Sequence, residues 1–174
     1  MTNETLETIK NRRSCRAYKP EQITNEELDA VLEAGTYAAS AMGRQSAKIV
    51  VVHDAAARAQ LTRMNAAVMG RDTDPMYGAP TILVVLADAH AANAVPDGSL
   101  VMGNLMLAAH ALGLGSIWIH RAKEEFERPE YKQLLKDLGI EGKWEGIGHC
   151  VVGTIDGEAP QPAPRRDGRV FWAE

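Results

Sequence analysis

Residues 11–20, NRRSCRAYKP, gather Arg12, Arg13, Arg16 and Lys19 around Ser14 and Cys15. Guanidinium groups bind a phosphate through paired hydrogen bonds and a serine hydroxyl adds a donor. Arg12, Arg13, Ser14 and Arg16 are therefore candidates for gripping a phosphate monoester. The plainer alternative is a solvated basic turn that pairs with nearby glutamates. The chain as a whole is acidic, with 19 Lys and Arg against 23 Asp and Glu and a formal net charge of −4. That balance disfavours a nucleic-acid partner and suits a small anion. Cationic neighbours could lower the Cys15 thiol pKa, yet no base lies close to it in sequence, and incidental packing is the simpler account.

Two further polar groups accompany the first. ASAMGRQSAK, residues 39–48, joins a strong helix signal to a strand signal, a junction at which loops present side chains to ligands. Arg165 and Arg166 follow a run of alternating prolines near the C-terminus. Several other chemistries are absent from the pattern. The chain has no GxSxG, no Walker A loop and no GxGxxG. Its 5 histidines form no HxxxH or HExxH pair. His110 reads as a polar group satisfied in the core, and His149 and Cys150, adjacent in a strand, point to opposite faces. No metal site is expected.

The elements that must position these groups can be read from periodicity. TLETIKNRR suggests a short helix ending near Arg12. Thr24 and Glu27 form a capping-box pattern before the apolar face Leu28, Val31, Leu32, Gly35 and Ala38. Ala57, Leu61, Met64 and Val68 trace another helix. KEEFERPEYKQLLKDLGI reads as a helical pair broken at Pro129 and closed by Gly139. Strands are expected at KIVVVHD, TILVVLAD, GSIWIH and GHCVVGTI. Residues 97–112 are apolar almost all round, which places that helix at the centre of a fold or in an interface. The tail is different in kind. Pro160, Pro162 and Pro164 enforce extension, yet Val170, Phe171 and Trp172 want burial, so residues 157–174 are expected to dock as an arm on a second copy of the chain. With 174 residues, a single domain over 1–174 is the simplest organisation. No apolar run is long enough for a membrane span and the polar N-terminus does not read as a targeting segment. The 2 isolated cysteines suit a reducing, cytoplasmic setting.

In order along the chain, RRSCRAY, SAMGRQ, YGAPTILVVLAD, SLVMGNLMLAAHALGLGSIWIH and APRRDGRVFW resemble the nitroreductase family of FMN-dependent flavoproteins. The resemblance implies an α+β fold, a central mixed sheet flanked by helices, in a homodimer with FMN at the interface and an exchanged C-terminal arm. It assigns Arg12, Arg13, Ser14 and Arg16 to the FMN phosphate and ribityl chain. Ser40, Met42 and Gln45 would belong to a loop that reaches the partner's flavin. That loop departs from the family pattern, with Ala39, Gly43 and Ser46 where Pro, Asn and Pro are usual. Trp118, Ile119 and His120 would run along the isoalloxazine, and Arg165 and Arg166 would close over the phosphate. His120 is the one candidate for a proton-donating role, beside a structural one at a strand end. Arg71 or Tyr77 would line the pocket. The activity implied is ping-pong transfer of a hydride from NAD(P)H through flavin N5 to a nitroaromatic, quinone or similar acceptor. The alternatives are a non-catalytic flavin-binding protein, or an FMN enzyme of the same fold performing dehalogenation or flavin fragmentation.

Overall fold

The computed structural model describes residues 1–173. Glu174, the last residue of the expected arm, lies outside the described residues. Helices α1 (Glu4–Asn11), α2 (Asn25–Thr36), α3 (Ala55–Met69), α4 (Ala94–Ala111), α5 (Ala122–Phe126) and α6 (Pro129–Asp137) flank one sheet of β1 (Ala47–Val52), β2 (Thr81–Asp88), β3 (Gly115–Ile119) and β4 (Trp144–Gly153). The capping box at α2 forms as the sequence predicts, with Thr24 N–H donating to Glu27 Oε2 at 2.8 Å and Glu27 N–H to Thr24 Oγ1 at 3.2 Å. Asp54 caps α3 by accepting from Ala57 N–H at 2.9 Å. Pro129 opens α6 at its first turn, where a missing N–H costs nothing. Helix α4 begins at Ala94, three residues before the expected start, because Pro96 falls within the first turn and is tolerated there.

The strand order is β1-β2-β4-β3, and every neighbouring pair is antiparallel. The parallel component of the expected mixed sheet is confined to an isolated bridge between Ser14 and Ser116, on the outer edge of β3. β2 lies inside the sheet and is buried almost throughout, which is why its sequence is a continuous apolar run with no alternation. Alternate residues feed two cores. Leu83, Val85, Cys150 and Val152 pack on α2 and α4, while Ile82, Val84, Leu86 and Val151 pack on the side of α3, α5 and α6. As the alternation requires, His149 and Cys150 face opposite ways.

β4 starts four residues earlier than the sequence pattern suggests, because Gly146 and Gly148 interrupt the apolar signal inside it. Both glycines answer to close neighbours. A Cβ at Gly146 would lie 2.2 Å from the Ala122 carbonyl oxygen, and one at Gly148 would lie 2.2 Å from Trp118 Nε1. The second core holds an unforeseen pair, Glu125 from α5 and His149 from β4, both fully buried, with Nε2 and Oε2 2.8 Å apart. Tyr131 lies near them; burial and the Glu125 carboxylate raise its phenol pKa.

Helix α4 lays Val101, Met102, Leu105 and Ala109 on the sheet and leaves Val95 and Leu100 about half exposed. Beyond β4 the chain runs as an arm without helix or strand. Its first residues are pinned to the segment after the arginines: Lys19 N–H donates to Thr154 O at 2.9 Å, Asp156 N–H to Ala17 O at 3.1 Å, and Tyr18 bridges Ile155. At its far end Phe171 and Trp172 are each 86% exposed.

Candidate functional site

The arginine segment is held by its backbone and by Arg13, whose Nη1 donates to the Lys10 carbonyl at 2.7 Å and to the Arg12 carbonyl. α1 ends at Asn11, Arg12 turns out of the helix with φ −53° and ψ 130°, and Cys15 N–H donates to Ser116 O at 3.0 Å. Tyr18 Oη donates to the Cys15 carbonyl at 2.9 Å. Cys15 itself is 4% exposed, and burial raises its thiol pKa against the lowering pull of Arg12 and Arg16. A buried thiol kept protonated is no nucleophile, so Cys15 is packing.

The cations show the opposite economy. Among the described residues the ion pairs are Lys10–Glu7, Lys123–Glu145 and His149–Glu125, so Arg12, Arg13 and Arg16 have no carboxylate partner. The solvated turn that pairs with glutamates is therefore not what forms. Arg12 Nη1 and Arg13 Nε are buried without an acceptor. Burial, then the charges of Arg165 and Arg12, lower the Arg13 pKa, so the arm of the same chain brings Arg165 into electrostatic reach of Arg13. His110, expected in the core, instead lies half-buried beside this cluster, with its pKa lowered by burial and by Arg12 and Arg13. Guanidinium donors of one sign, crowded and with Arg12 Nη1 and Arg13 Nε unpartnered, fit an anion with several acceptor oxygens; a phosphate monoester satisfies them.

The loop at 39–48 is strained. Met42 (φ 54°), Gly43 (φ 64°) and Gln45 (φ 49°) all take left-handed backbone, in and after a 3-10 turn at Ala41–Gly43. Ser40 Oγ accepts from Gln45 N–H at 2.9 Å. Asp97 of α4, 5% exposed, ties both flanks: its Oδ1 accepts from Ala41 N–H at 3.0 Å and its Oδ2 from Ser46 Oγ at 3.0 Å. Ser46, one of the departures from the family pattern, thus supplies a bond that a proline could not. Sequence reasoning missed Asp97; the available signal was a lone acid in an otherwise apolar helix. Behind the loop is a hollow of about 340 Å³ lined by Leu32, Gln45, Ile49, Asp97 and Val101. Met42 remains 78% exposed.

At the end of β3, Trp118 lies across Gly148 with its indole N–H buried and unpartnered. Ile119 is 5% exposed and packs into the core, so any role at a ligand falls to its backbone. His120 is exposed, and Arg121 turns the chain into α5 with φ 79°. In the loop at 70–79, Tyr77 (φ 55°) sits with its ring centroid 5.9 Å from Arg16 Cζ. Asp74 fastens that loop by accepting from Met76 N–H at 2.7 Å and Gly78 N–H at 2.6 Å. Arg71 is elsewhere, in a shallow hollow with Arg63.

One chain brings together Arg12, Arg13, Ser14, Arg16, Tyr77, His110, Arg165 and the start of β3. It does not bring in Ser40, Met42 and Gln45. Their loop enters β1, and β1 and β3 are opposite edges of the sheet. Arg166 is exposed on the arm.

Comparison with known proteins places the fold and the family. The nitroreductase family model matches residues 9–71 and 70–154. A nitroreductase from Bacteroides fragilis, crystallised with bound FMN, is 30% identical and superposes with a TM-score of 0.90 over 99% of this chain and 100% of that one. A second, from Desulfitobacterium hafniense and also with bound FMN, is 27% identical with a TM-score of 0.88 over 100% of both chains. A protein of Archaeoglobus fulgidus named "Putative NADH dehydrogenase/NAD(P)H nitroreductase" is 33% identical over 140 residues, which are 78% of this chain and 75% of that protein. The chain belongs to the nitroreductase family.

Proposed function

We propose that this chain is an FMN-dependent oxidoreductase that works as a homodimer. The observation that carries the reading is the pair of orphaned donors, Arg12 Nη1 and Arg13 Nε, beside Ser14, Arg16 and Arg165 and, among the described residues, without a carboxylate counterion. FMN, when bound, would supply hydride transfer from NAD(P)H to an electron-poor acceptor such as a nitroaromatic or quinone, in two half-reactions at one site.

The chain's own residues bind and orient. Arg12, Arg13 and Arg16 hold the phosphate, with Ser14 as a neutral donor and Arg165 and Arg166 closing from the arm. Trp118 and His120 lie along the ring system at the end of β3. His120, exposed there, can donate a hydrogen bond or a proton, although solvent also reaches this position. Ser40, Met42 and Gln45, at the opposite sheet edge from their own chain's arginines, would serve the site of the partner subunit. A dimer also accounts for the half-exposed apolar side of α4 and for the exposed Val170, Phe171 and Trp172, which would dock on the partner.

The experiment is direct. Purified protein reconstituted with FMN should be yellow, bleach on addition of NADH or NADPH without oxygen, and recolour with a quinone. A yellow protein that neither nicotinamide bleaches would leave only flavin binding. A protein that takes up no FMN would refute the reading. No helix among the described residues is long and apolar enough to cross a membrane.

A further inference from the structure

Arg121, at the junction of β3 and α5, has φ 79° and ψ 5°. A left-handed backbone disfavours a residue with a Cβ by about 1–2 kcal/mol and persists where the surroundings enforce it. Asn65 does the enforcing. It lies on the inner face of α3 with no exposure at all. Its Nδ2 donates to the His120 carbonyl at 2.8 Å, and its Oδ1 accepts from Arg121 Nε at 2.9 Å. Both ends of the amide are committed, and the guanidinium, which can only donate, settles which end is oxygen.

This clip has a directional consequence. Across a trans peptide the carbonyl and the next N–H point in opposite directions. With the His120 carbonyl turned to α3, the Arg121 N–H points away from it, and no backbone carbonyl among the described residues accepts it. A fixed, unspent donor therefore stands at the end of the strand that carries Trp118 and His120. Preorganised donors of this kind matter most where negative charge develops.

We propose that Asn65 is a positioning residue for the flavin: by holding the His120–Arg121 peptide it presents the Arg121 N–H to the isoalloxazine, which gains electron density on reduction. The inference rests on the flavin reading above. It differs from a purely structural tie between α3 and β3, which would change stability and leave the relative binding of oxidised and reduced FMN untouched.

The test uses the full chain reconstituted with FMN, whose midpoint potential is measured by reductive titration against a reference dye, alongside thermal melting. Asn65→Leu removes both bonds and keeps the branched shape of the side chain. Reduced FMN should lose about tenfold more affinity than oxidised FMN, which lowers the two-electron midpoint by about 30 mV. A lowered melting temperature with an unchanged midpoint would show a structural tie and overturn the proposal. Should Asn65→Leu not fold, Asn65→Ser, too short to bridge both groups yet still polar, should shift the midpoint in the same direction, and no shift would again overturn it. Unaltered protein that binds no FMN would overturn the flavin reading and the role of Asn65 with it, so the two failures appear in different samples.

Discussion

Two clusters of ionisable side chains occupy this fold, one half-buried on an edge of the sheet and one fully buried beneath it, and they are built on opposite plans. Beneath the sheet, Glu125 and His149 meet at 2.8 Å in complete burial, an acid against a base. At the outer edge of β3, Arg12 and Arg13 each bury a guanidinium nitrogen, with Arg165 and His110 near and, among the described residues, no carboxylate to receive it. The first cluster sets an acid against a base within the chain, with Glu125 Oε1, His149 Nδ1 and the Tyr131 hydroxyl left without a hydrogen-bond partner. On the proposed reading the second is completed by an anion from outside, because crowding one sign of charge without a partner is costly. Sign, more than burial itself, separates a structural pair from a binding site.

Breaking the buried acid–base pair should have the largest effect. Removing one partner leaves the other ionisable group buried alone, so Glu125→Ala or His149→Leu should each cost about 3–5 kcal/mol in urea unfolding. The double variant Glu125→Leu/His149→Leu should recover most of that loss, since apolar replacement of a whole buried pair is often neutral. A double variant as unstable as the singles would mean that the pair is not self-balanced.

Breaking the incomplete cluster should leave the fold intact. Arg12→Ala/Arg16→Ala relieves like-charge crowding, so its melting temperature without FMN should equal or exceed that of the unaltered protein. Its FMN affinity should fall by at least about a hundredfold, charge-assisted hydrogen bonds being worth ~1.5–3 kcal/mol each. Equilibrium dialysis and a melting curve report the two quantities separately. Full FMN occupancy in the double variant would remove these arginines from the site.

Asp97 tests a middle case, a buried carboxylate spent on two neutral donors. Asp97→Ala should cost about 1–3 kcal/mol and leave Ala41 N–H without its acceptor. Hydrogen exchange at Ala41 should then speed up, while Leu61 and other α3 amides keep their protection.

The smallest effect is a titration. Burial, Arg12 and Arg13 hold the His110 pKa below its ordinary value of 6.5. Replacing Arg12 by Ala, or neutralising the cluster with inorganic phosphate, removes repulsion of the charged imidazole, so the pKa should rise in NMR titration. A His110 that titrates identically in all three samples does not sit beside the cluster.

These contrasts also mark what sequence alone conveys here. Local signals were legible: the Thr24–Glu27 box, the Pro129 break and the four apolar strands stand where the pattern puts them, because each depends on near neighbours in the chain. The arginine segment was visible as a charge anomaly, although whether it pairs with glutamates depends on what faces it in space. Asn65, Asp97 and the Glu125–His149 pair were not legible. Each matters through a contact more than 20 positions away, and nothing in the spacing of lone polar residues announces that contact. The start of β4 was hidden for a related reason, since Gly146 and Gly148 look like breakers until Ala122 and Trp118 are seen against them.

The central claim is that the unpaired arginines await a phosphate. Calorimetric titration of the flavin-free protein with FMN and with riboflavin, which lacks only the phosphate, tests it most directly. Riboflavin should bind at least about a hundredfold more weakly, by the loss of charge-assisted hydrogen bonds, and Arg12→Ala/Arg16→Ala should erase most of that difference. Equal binding of the two flavins by the unaltered protein would contradict the account.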